Sequence, residues 1–282
     1  MLALCCALAG PLVASTSRWY EVCLCDNAQR ERHSTPGDAL AQGDTVIVLP
    51  GIADAAECEA LLNAGLQAAA KQEGSLWRRM SASAQEFTSN NKRSVGRTRV
   101  PIGTLSRASA AMYSSTFAKV LTLVDEQIPS VAALIETSFH HEEDSRPRAS
   151  SEAVSSSSSS TPPSLASLHA SGSLEFSARE PAINIYTAGG EFNAHTDRQT
   201  LTVLIYLTPP ETCEGGGTGF WSQACADCEA APTAVIRPPA GTALVYGGRV
   251  PHAGMPVVSG RRAIFLGSFS QRRLDLQLME FE

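Results

Sequence analysis

The chain has 282 residues, of which 43% are hydrophobic and 18% are charged, and its formal net charge is −6 at pH 7. This composition is ordinary for a globular protein, and a chain of this length can bury a substantial core. The acidic balance argues against broad nucleic-acid binding, because affinity for phosphate backbones comes chiefly from clustered Lys and Arg.

Residues 1–42 form an N-terminal segment that the sequence separates from the rest of the chain. Residues 1–14 are apolar, but about 20 apolar residues are needed for a helix to cross a membrane, so no spanning segment is predicted. A weak signal peptide and a disordered segment are both open interpretations, since no Lys or Arg precedes Arg18. The compartment therefore stays open between the cytoplasm and the lumen of the endoplasmic reticulum.

Residues 43–141 are predicted to form a strand and then helices. The strand is residues 44–49 (DTVIVL), which are apolar and β-branched. Asp54 with Glu57 has the pattern of a capping box at a helix start, and a second helix is predicted over residues 110–124. We expect these helices to pack against a sheet.

A local basic patch lies at residues 89–99 (SNNKRSVGRTR) of this acidic chain. Its charged residues are Lys92, Arg93, Arg97 and Arg99. A solvated loop is the simpler interpretation, and a rim that attracts an acidic substrate is the alternative.

Residues 142–173 are rich in Ser, Pro, Ala and Arg, and they include an unbroken run of serine at residues 155–160. So little apolar area cannot offset the entropy of ordering the backbone, which predicts a disordered insert. We interpret His140, His141 and His169, which lie in or beside this insert, as solvated residues rather than metal ligands.

Two histidines and an aspartate are placed to act together. His195 and Asp197 directly precede an apolar run at residues 201–207 (LTVLIYL), and a second run at 241–246 (GTALVY) precedes His252. Both groups are thus predicted at strand ends, where a rigid sheet can hold them. Two imidazoles and one carboxylate suit Fe(II), because they hold one face of its octahedron and leave the other positions open.

From about residue 43 onward, the chain resembles the prolyl 4-hydroxylase-like branch of the 2-oxoglutarate- and Fe(II)-dependent dioxygenases. Three segments carry the resemblance: NIYTAGGEFNAHTD (184–197), EGGGTGF (214–220) and HAGMPVVSGRRAIF (252–265). The resemblance implies a mainly β (α+β) fold, with a double-stranded β-helix, or jelly roll, over residues 174–282 and flanking N-terminal helices.

The resemblance also implies the roles of five residues. His195, Asp197 and His252 would bind Fe(II). Arg262 lies ten positions after His252 and would bind the far carboxylate of 2-oxoglutarate, and Tyr186, nine positions before His195, would hydrogen-bond the same carboxylate. Prolyl 4-hydroxylases usually carry Lys at the position of Arg262, but the planar fork of Arg also grips a carboxylate in two places.

Strand parity is consistent with a buried Arg262. Arg262 shares parity with Ile264 and Leu266, which predicts that it points into an apolar interior, where a guanidinium is costly unless a carboxylate pairs with it. Parity alone leaves Arg261 open, because the residues on its face are also apolar.

The implied reaction is hydroxylation of a C–H bond with O2 and 2-oxoglutarate, with release of succinate and CO2 and with ascorbate as the reductant. Peptidyl proline is the leading acceptor, and other peptides and small molecules are alternatives. A non-catalytic jelly-roll protein that binds or senses metal is the alternative function, and a lectin-like β-sandwich is a second one. The non-catalytic metal-binding protein needs neither a buried guanidinium at Arg262 nor Tyr186, and an iron titration distinguishes the lectin-like β-sandwich.

Eight cysteines are spread unevenly and do not resemble a disulfide framework. Cys225 and Cys228 form a C-x-x-C pair, with Cys213 as a further thiol. Free thiols, a local disulfide and a zinc site are the open interpretations of these three.

Overall fold

Two antiparallel β-sheets face each other in the computed structural model, which describes residues 18–73, 96–137, 164–222 and 230–272. The strands in these ranges are β1 (Tyr20–Cys23), β2 (Thr45–Leu49), β3 (Arg97–Pro101), β4 (Leu174–Phe176), β5 (Ala182–Tyr186), β6 (Phe192–His195), β7 (Leu201–Tyr206), β8 (Cys213–Gly215), β9 (Thr218–Phe220), β10 (Ala234–Ile236), β11 (Ala243–Gly247), β12 (His252–Gly254), β13 (Val257–Gly260) and β14 (Arg262–Gln271). The helices are α1 (Asn27–Arg30), α2 (Pro36–Ala41), α3 (Ala55–Glu73), α4 (Arg107–Gln127), α5 (Pro129–Ala132), α6 (Leu134–Thr137) and α7 (Leu165–Ala170).

The strand order is that of a jelly roll. The larger sheet runs β1-β2-β11-β7-β14-β5-β3, with β4 also paired to β14. The smaller sheet runs β10-β9-β12-β6, and β8 pairs with β13 in a separate ribbon. This arrangement confirms the expected mainly β (α+β) jelly roll.

The larger sheet is buried on both faces, which explains the continuous apolar character of its central strands. On β7, Val203 and Ile205 pack towards the helices, while Leu204 and Tyr206 pack towards the smaller sheet. The side chains also alternate along β5, because its isoleucines belong to the helix-side core and Tyr186 belongs to the other core.

Helices α3 and α4 cover the outer face of the larger sheet, as expected. The predicted capping box is present at the start of α3: the Asp54 N–H donates to Glu57 Oε2 at 3.0 Å, and the Glu57 N–H donates to Asp54 Oδ1 at 2.8 Å. Helix α4 begins earlier than predicted, because Ser106 caps it through the Ser109 N–H. The Tyr113 hydroxyl joins the two helices by donating to the Leu61 carbonyl at 2.5 Å.

The expected division at residue 42 is wrong for residues 18–42, which are part of the folded domain. Strand β1 pairs with β2 along its whole length and forms one edge of the larger sheet. Helix α2 has its own capping box between Thr35 and Asp38 and buries Leu40. No helix in the ranges described here is long and apolar enough to cross a membrane.

The C-terminal part of the expected insert at 142–173 is ordered, which corrects that prediction for residues 164–173. Leu165 and Leu168 on α7 enter the core on the helix side of the larger sheet. The Asp125 carboxylate of α4 accepts hydrogen bonds from the Leu165 and Ala166 N–H groups at 2.8 and 2.9 Å. Two leucines and one carboxylate from a distant helix therefore order a segment whose composition predicted disorder.

His169 is half-buried rather than solvated. Its Nε2 lies 3.1 Å from the Ser114 hydroxyl, and its ring centroid lies 5.4 Å from that of Phe117. Burial lowers the pKa of His169 below its usual value. His140 and His141 lie outside the residues that the structure describes.

Candidate active site

The smaller sheet brings His195 and His252 directly opposite each other. His195 ends β6, His252 begins β12, and the two residues pair in register with ring centroids 4.3 Å apart. Asp197 follows in the connection to β7, and its carboxylate oxygens lie 3.6 Å from the Nε2 atom of each histidine. One ligand atom from each of the three residues lies within 4.8 Å of the other two.

Backbone carbonyls orient both imidazole rings. His195 Nδ1 lies 2.9 Å from the Asn193 carbonyl oxygen, and His252 Nδ1 lies 2.9 Å from the Val250 carbonyl oxygen. Because a carbonyl only accepts hydrogen bonds, each Nδ1 carries the proton and each Nε2 lone pair is free for a metal ion.

Two hydroxyl groups from the larger sheet hold the Asp197 carboxylate. Thr202 Oγ1 donates to Asp197 Oδ2 at 2.5 Å, and Ser268 Oγ donates to the same oxygen at 3.3 Å. These bonds fix the carboxylate between the histidines, as hydrogen-bonded partners commonly do for metal-binding side chains.

The electrostatics of the group also favour metal binding. Burial, together with the nearby His252, lowers the pKa of His195 to about 4. The imidazole is therefore neutral near pH 7, and neutral imidazole is the form that binds metal ions.

Arg262 lies at the start of β14 and is 2% exposed, whereas Arg261 is exposed. Its Nη2 donates to Thr218 Oγ1 at 2.7 Å and to the Tyr206 hydroxyl at 3.2 Å. Its Nε and Nη1 atoms are buried without a hydrogen-bond partner. Of the two arginines that strand parity left open, Arg262 is therefore the one that is buried.

Tyr186 is buried beside Arg262 but is not the hydroxyl that bonds to it. The Arg262 Cζ lies 5.0 Å from the Tyr186 ring centroid, and the Tyr186 hydroxyl accepts from Asn184 Nδ2 at 3.4 Å. Sequence reasoning missed Tyr206 and Thr218, the two residues that do bond to Arg262. Parity along β7 could have indicated Tyr206, because it shares a face with Thr202.

A cavity connects these groups between the two sheets. Its lining includes the three residues of the histidine–aspartate group, Arg262, Tyr186 and Thr218, and also the following residues: Arg99, Glu180, Asn184, Phe192, Leu204, Tyr246, Ala253, Gly254, Ile264 and Leu266. The three candidate metal ligands and the buried guanidinium therefore face one common space.

The described part of the basic patch is not a solvated loop, which corrects that interpretation. Arg97 and Arg99 lie on β3, at the edge of the larger sheet. The Arg97 guanidinium lies 3.8 Å from the centroid of the Phe192 ring, and Arg99 Nη2 donates to Glu180 Oε1 at 2.6 Å. Lys92 and Arg93 lie outside the described residues.

Of Cys213, Cys225 and Cys228, the structure describes Cys213. Cys213 is a free, half-buried thiol whose Sγ lies 3.9 Å from the Gly215 carbonyl oxygen. Cys225 and Cys228 lie outside the described residues.

Trp221, which donates its indole N–H to the Ala230 carbonyl at 2.8 Å, is buried.

Comparison with known proteins gives one family match. Residues 181–269 match the model of the 2OG-Fe(II) oxygenase superfamily. No curated protein matches the chain.

Several solved structures resemble this one at low sequence identity. A prolyl hydroxylase from Trichoplax adhaerens, in complex with a peptide fragment of the oxygen degradation domain of hypoxia inducible factor, has a TM-score of 0.45 and 16% identity over 87% of this chain and 94% of that one. The viral collagen prolyl hydroxylase of Paramecium Bursaria Chlorella virus-1 has a TM-score of 0.41 and 16% identity over 82% and 98% of the two chains. A Pseudomonas putida prolyl-4-hydroxylase has a TM-score of 0.40 and 16% identity over 84% and 97%.

Proposed function

We propose that this chain, a 2OG-Fe(II) oxygenase whose family match spans residues 181–269, hydroxylates a C–H bond of a peptide and uses His195, Asp197 and His252 to hold its iron. The observation that carries the proposal is that these three side chains share one cavity with a buried arginine that lacks two hydrogen-bond partners. Bound Fe(II), with 2-oxoglutarate and O2, supplies the oxygen chemistry.

The histidine–aspartate group is built to bind a metal ion. Two Nε2 lone pairs and one carboxylate surround a common point, and backbone carbonyls and hydroxyls hold each of them in place. His252 is held further by the Tyr246 ring, whose centroid lies 4.8 Å away. We infer that His195, Asp197 and His252 occupy three positions on one face of the iron.

Arg262 fits the far carboxylate of 2-oxoglutarate. Its Nε and Nη1 atoms lack partners, so each has an N–H that can donate a charge-assisted hydrogen bond to an anionic ligand. Thr218 and Tyr206 hold Nη2 and so orient the fork. A guanidinium with 2% exposure is costly without a negative partner, and the co-substrate supplies that charge. We propose that the Tyr186 hydroxyl contacts the same carboxylate.

We propose peptidyl proline as the acceptor. Leu204, Ile264 and Leu266 give an apolar wall to the cavity that also contains the candidate iron ligands, which suits an uncharged aliphatic ring. Proline-rich peptides incubated with enzyme, Fe(II), ascorbate and 2-oxoglutarate should gain the mass of one oxygen atom. If succinate is formed but no peptide gains mass, the oxygenase activity would still be supported. Peptidyl proline would then be refuted as the acceptor.

The oxygenase proposal is tested by comparing Arg262→Ala with Arg261→Ala. Arg262→Ala should bind Fe(II) normally but bind 2-oxoglutarate at least about 100-fold more weakly, since it removes two charge-assisted hydrogen bonds. Arg261→Ala should behave like the unmodified protein, because Arg261 is exposed. Normal iron binding in both variants, with no succinate formed from 2-oxoglutarate by any of the three proteins, would favour a metal sensor instead.

A further inference from the structure

Two more buried polar atoms on the wall of the cavity have no partner. They are the carbonyl oxygen of the Asn184 side chain, Oδ1, and the Nε atom of Arg99. Asn184 is 2% exposed, and both residues line the cavity that contains the candidate iron ligands. A buried polar group without a partner is unfavourable, so these two atoms point to a ligand.

The two atoms belong to neighbouring side chains. Arg99 on β3 pairs directly with Asn184 on β5, so both side chains project from the same face of the larger sheet. One of them offers an N–H donor and the other a carbonyl acceptor. A ligand that satisfies both must present an acceptor and a donor side by side.

Glu180 limits the charge of the ligand that can bind beside Arg99. Its Oε1 accepts from Arg99 Nη2 at 2.6 Å, and its Oε2 accepts from the Ser268 N–H at 2.6 Å. The Glu180 side chain is only 7% exposed, so the pair cancels the charge of Arg99 in a weakly solvated place. A carboxylate ligand would be repelled by Glu180 and would have no donor for Asn184.

The two arginines in the cavity differ in depth as well as in charge. Arg262 is 2% exposed and has no ion pair among the described residues, whereas the Arg99 side chain is 20% exposed and is paired. Arg262 is therefore suited to a dianionic co-substrate that enters deeply. Arg99 is suited to a neutral group that lies nearer to the opening.

We propose that Arg99 and Asn184 form a subsite that binds one extended residue of the acceptor peptide, Arg99 through that residue's carbonyl oxygen and Asn184 through its N–H. This inference rests on the proposed peptide-hydroxylase function. Proline has no backbone N–H, so the residue bound at this subsite must be one other than proline. The subsite would thus select the sequence around the modified residue.

The test uses the full chain loaded with Mn(II) and 2-oxoglutarate and measures binding rather than turnover. The probe is acetyl-Ala-Pro-Ala-Pro-Ala-Pro-amide, together with three derivatives that are each N-methylated at one alanine. For the unmodified protein, one N-methylation should weaken binding about 3–10-fold, the usual effect of one neutral hydrogen bond. Asn184→Leu should bind the parent peptide about 3–10-fold more weakly than the unmodified protein does. It should bind the parent peptide and that N-methylated derivative equally well.

Arg99→Lys keeps the charge and the partner of Glu180 but removes the Nε donor, so it should also bind the parent peptide about 3–10-fold more weakly. Arg261→Lys is the matched control and should bind all four peptides like the unmodified protein. The Arg99 and Arg261 variants should bind 2-oxoglutarate within about 2-fold of the unmodified protein, which separates a local loss from misfolding. Asn184→Leu also loses the hydrogen bond to the Tyr186 hydroxyl, so normal Mn(II) binding is the check on its folding.

If the unmodified protein and Asn184→Leu discriminate equally between the parent peptide and the N-methylated derivatives, the subsite would be overturned. Tighter binding of acetyl-proline, which carries a carboxylate, than of the neutral acetyl-proline amide would also overturn it. Failure of the unmodified protein to bind any of the peptides, with 2-oxoglutarate still bound, would overturn both the subsite and the peptidyl acceptor. If the unmodified protein discriminates among the peptides but does not bind 2-oxoglutarate, the subsite would be supported and the proposed reaction refuted.

Discussion

Asp197 and Thr202 join the two sheets at the candidate metal site through a hydrogen bond of 2.5 Å. Asp197 extends from the end of the smaller sheet, and Thr202 lies on β7 at the centre of the larger one. The carboxylate is thus held by the sheet that also holds Arg262. The proposed iron site and the proposed co-substrate site are therefore parts of one rigid assembly.

Removing the Thr202 hydroxyl should weaken iron binding. In Thr202→Val, Asp197 keeps only the longer bond from Ser268 and can rotate away from the histidines. We expect Fe(II) affinity to fall about 10-fold or more, the usual effect of losing a group that orients a metal ligand. Isothermal titration of the metal-free protein measures it, and Thr196→Val, at an exposed position beside the same ligands, is the control. Equal affinities in both variants would contradict this role.

Removing the Thr218 hydroxyl should weaken 2-oxoglutarate binding but not iron binding. Thr218 accepts the shorter of the two hydrogen bonds from Arg262 Nη2. In Thr218→Val, the guanidinium is oriented by Tyr206 alone, so we expect the Kd for 2-oxoglutarate to rise about 3–10-fold. Titration of the Mn(II)-loaded protein measures this change. An unchanged Kd would show that Tyr206 alone is sufficient to orient the fork.

The interface between the larger sheet and α4 should dominate stability. Phe265 is 1% exposed and packs edge-on against Tyr113, with ring centroids 4.8 Å apart. Phe265→Ala should lower the free energy of unfolding by about 3–5 kcal/mol, because it removes buried apolar area and leaves a cavity. Val258→Ala, at a residue that is 61% exposed, should change it by less than about 0.5 kcal/mol. Denaturant unfolding of both variants gives the comparison.

The half-buried His169 should make stability depend on pH. Burial lowers the pKa of His169 in the folded protein, so the unfolded chain binds more protons between that pKa and the ordinary value near 6.5. The free energy of unfolding should therefore fall as the pH falls from about 6.5 towards the folded-state pKa. His169→Gln should show a smaller loss between pH 7.5 and 5 in denaturant titrations. An identical pH profile in both proteins would mean that His169 is solvated in the folded state.

Much of the fold could be predicted from local patterns. The strand at residues 44–49, the capping box at Asp54 and the apolar run that became β7 each depend on residues within a few positions of one another. Composition misled in two places, at β1 and at α7. A short strand and a short helix become ordered there because distant elements, β2 and α4, complete their hydrogen bonds.

The same limit applies to the candidate site. Sequence spacing singled out His195, Asp197, His252, Arg262 and Tyr186, because their types and intervals are local properties of three short segments. It did not indicate that Arg262 bonds to Thr218, that Asp197 bonds to Ser268 or that Arg99 pairs with Glu180.

The sequence by itself thus determined several of the strands and helices, and which residue types could bind iron and a carboxylate. Only the tertiary structure decided which hydroxyl groups orient those residues, that Arg262 rather than Arg261 is buried, and that Arg99 is neutralised beside an unpartnered Asn184. The reason is that each of these contacts depends on how strands distant in the chain align with each other. Cross-strand register is set by the packing of the whole sheet between its two cores, and no short stretch of sequence encodes it.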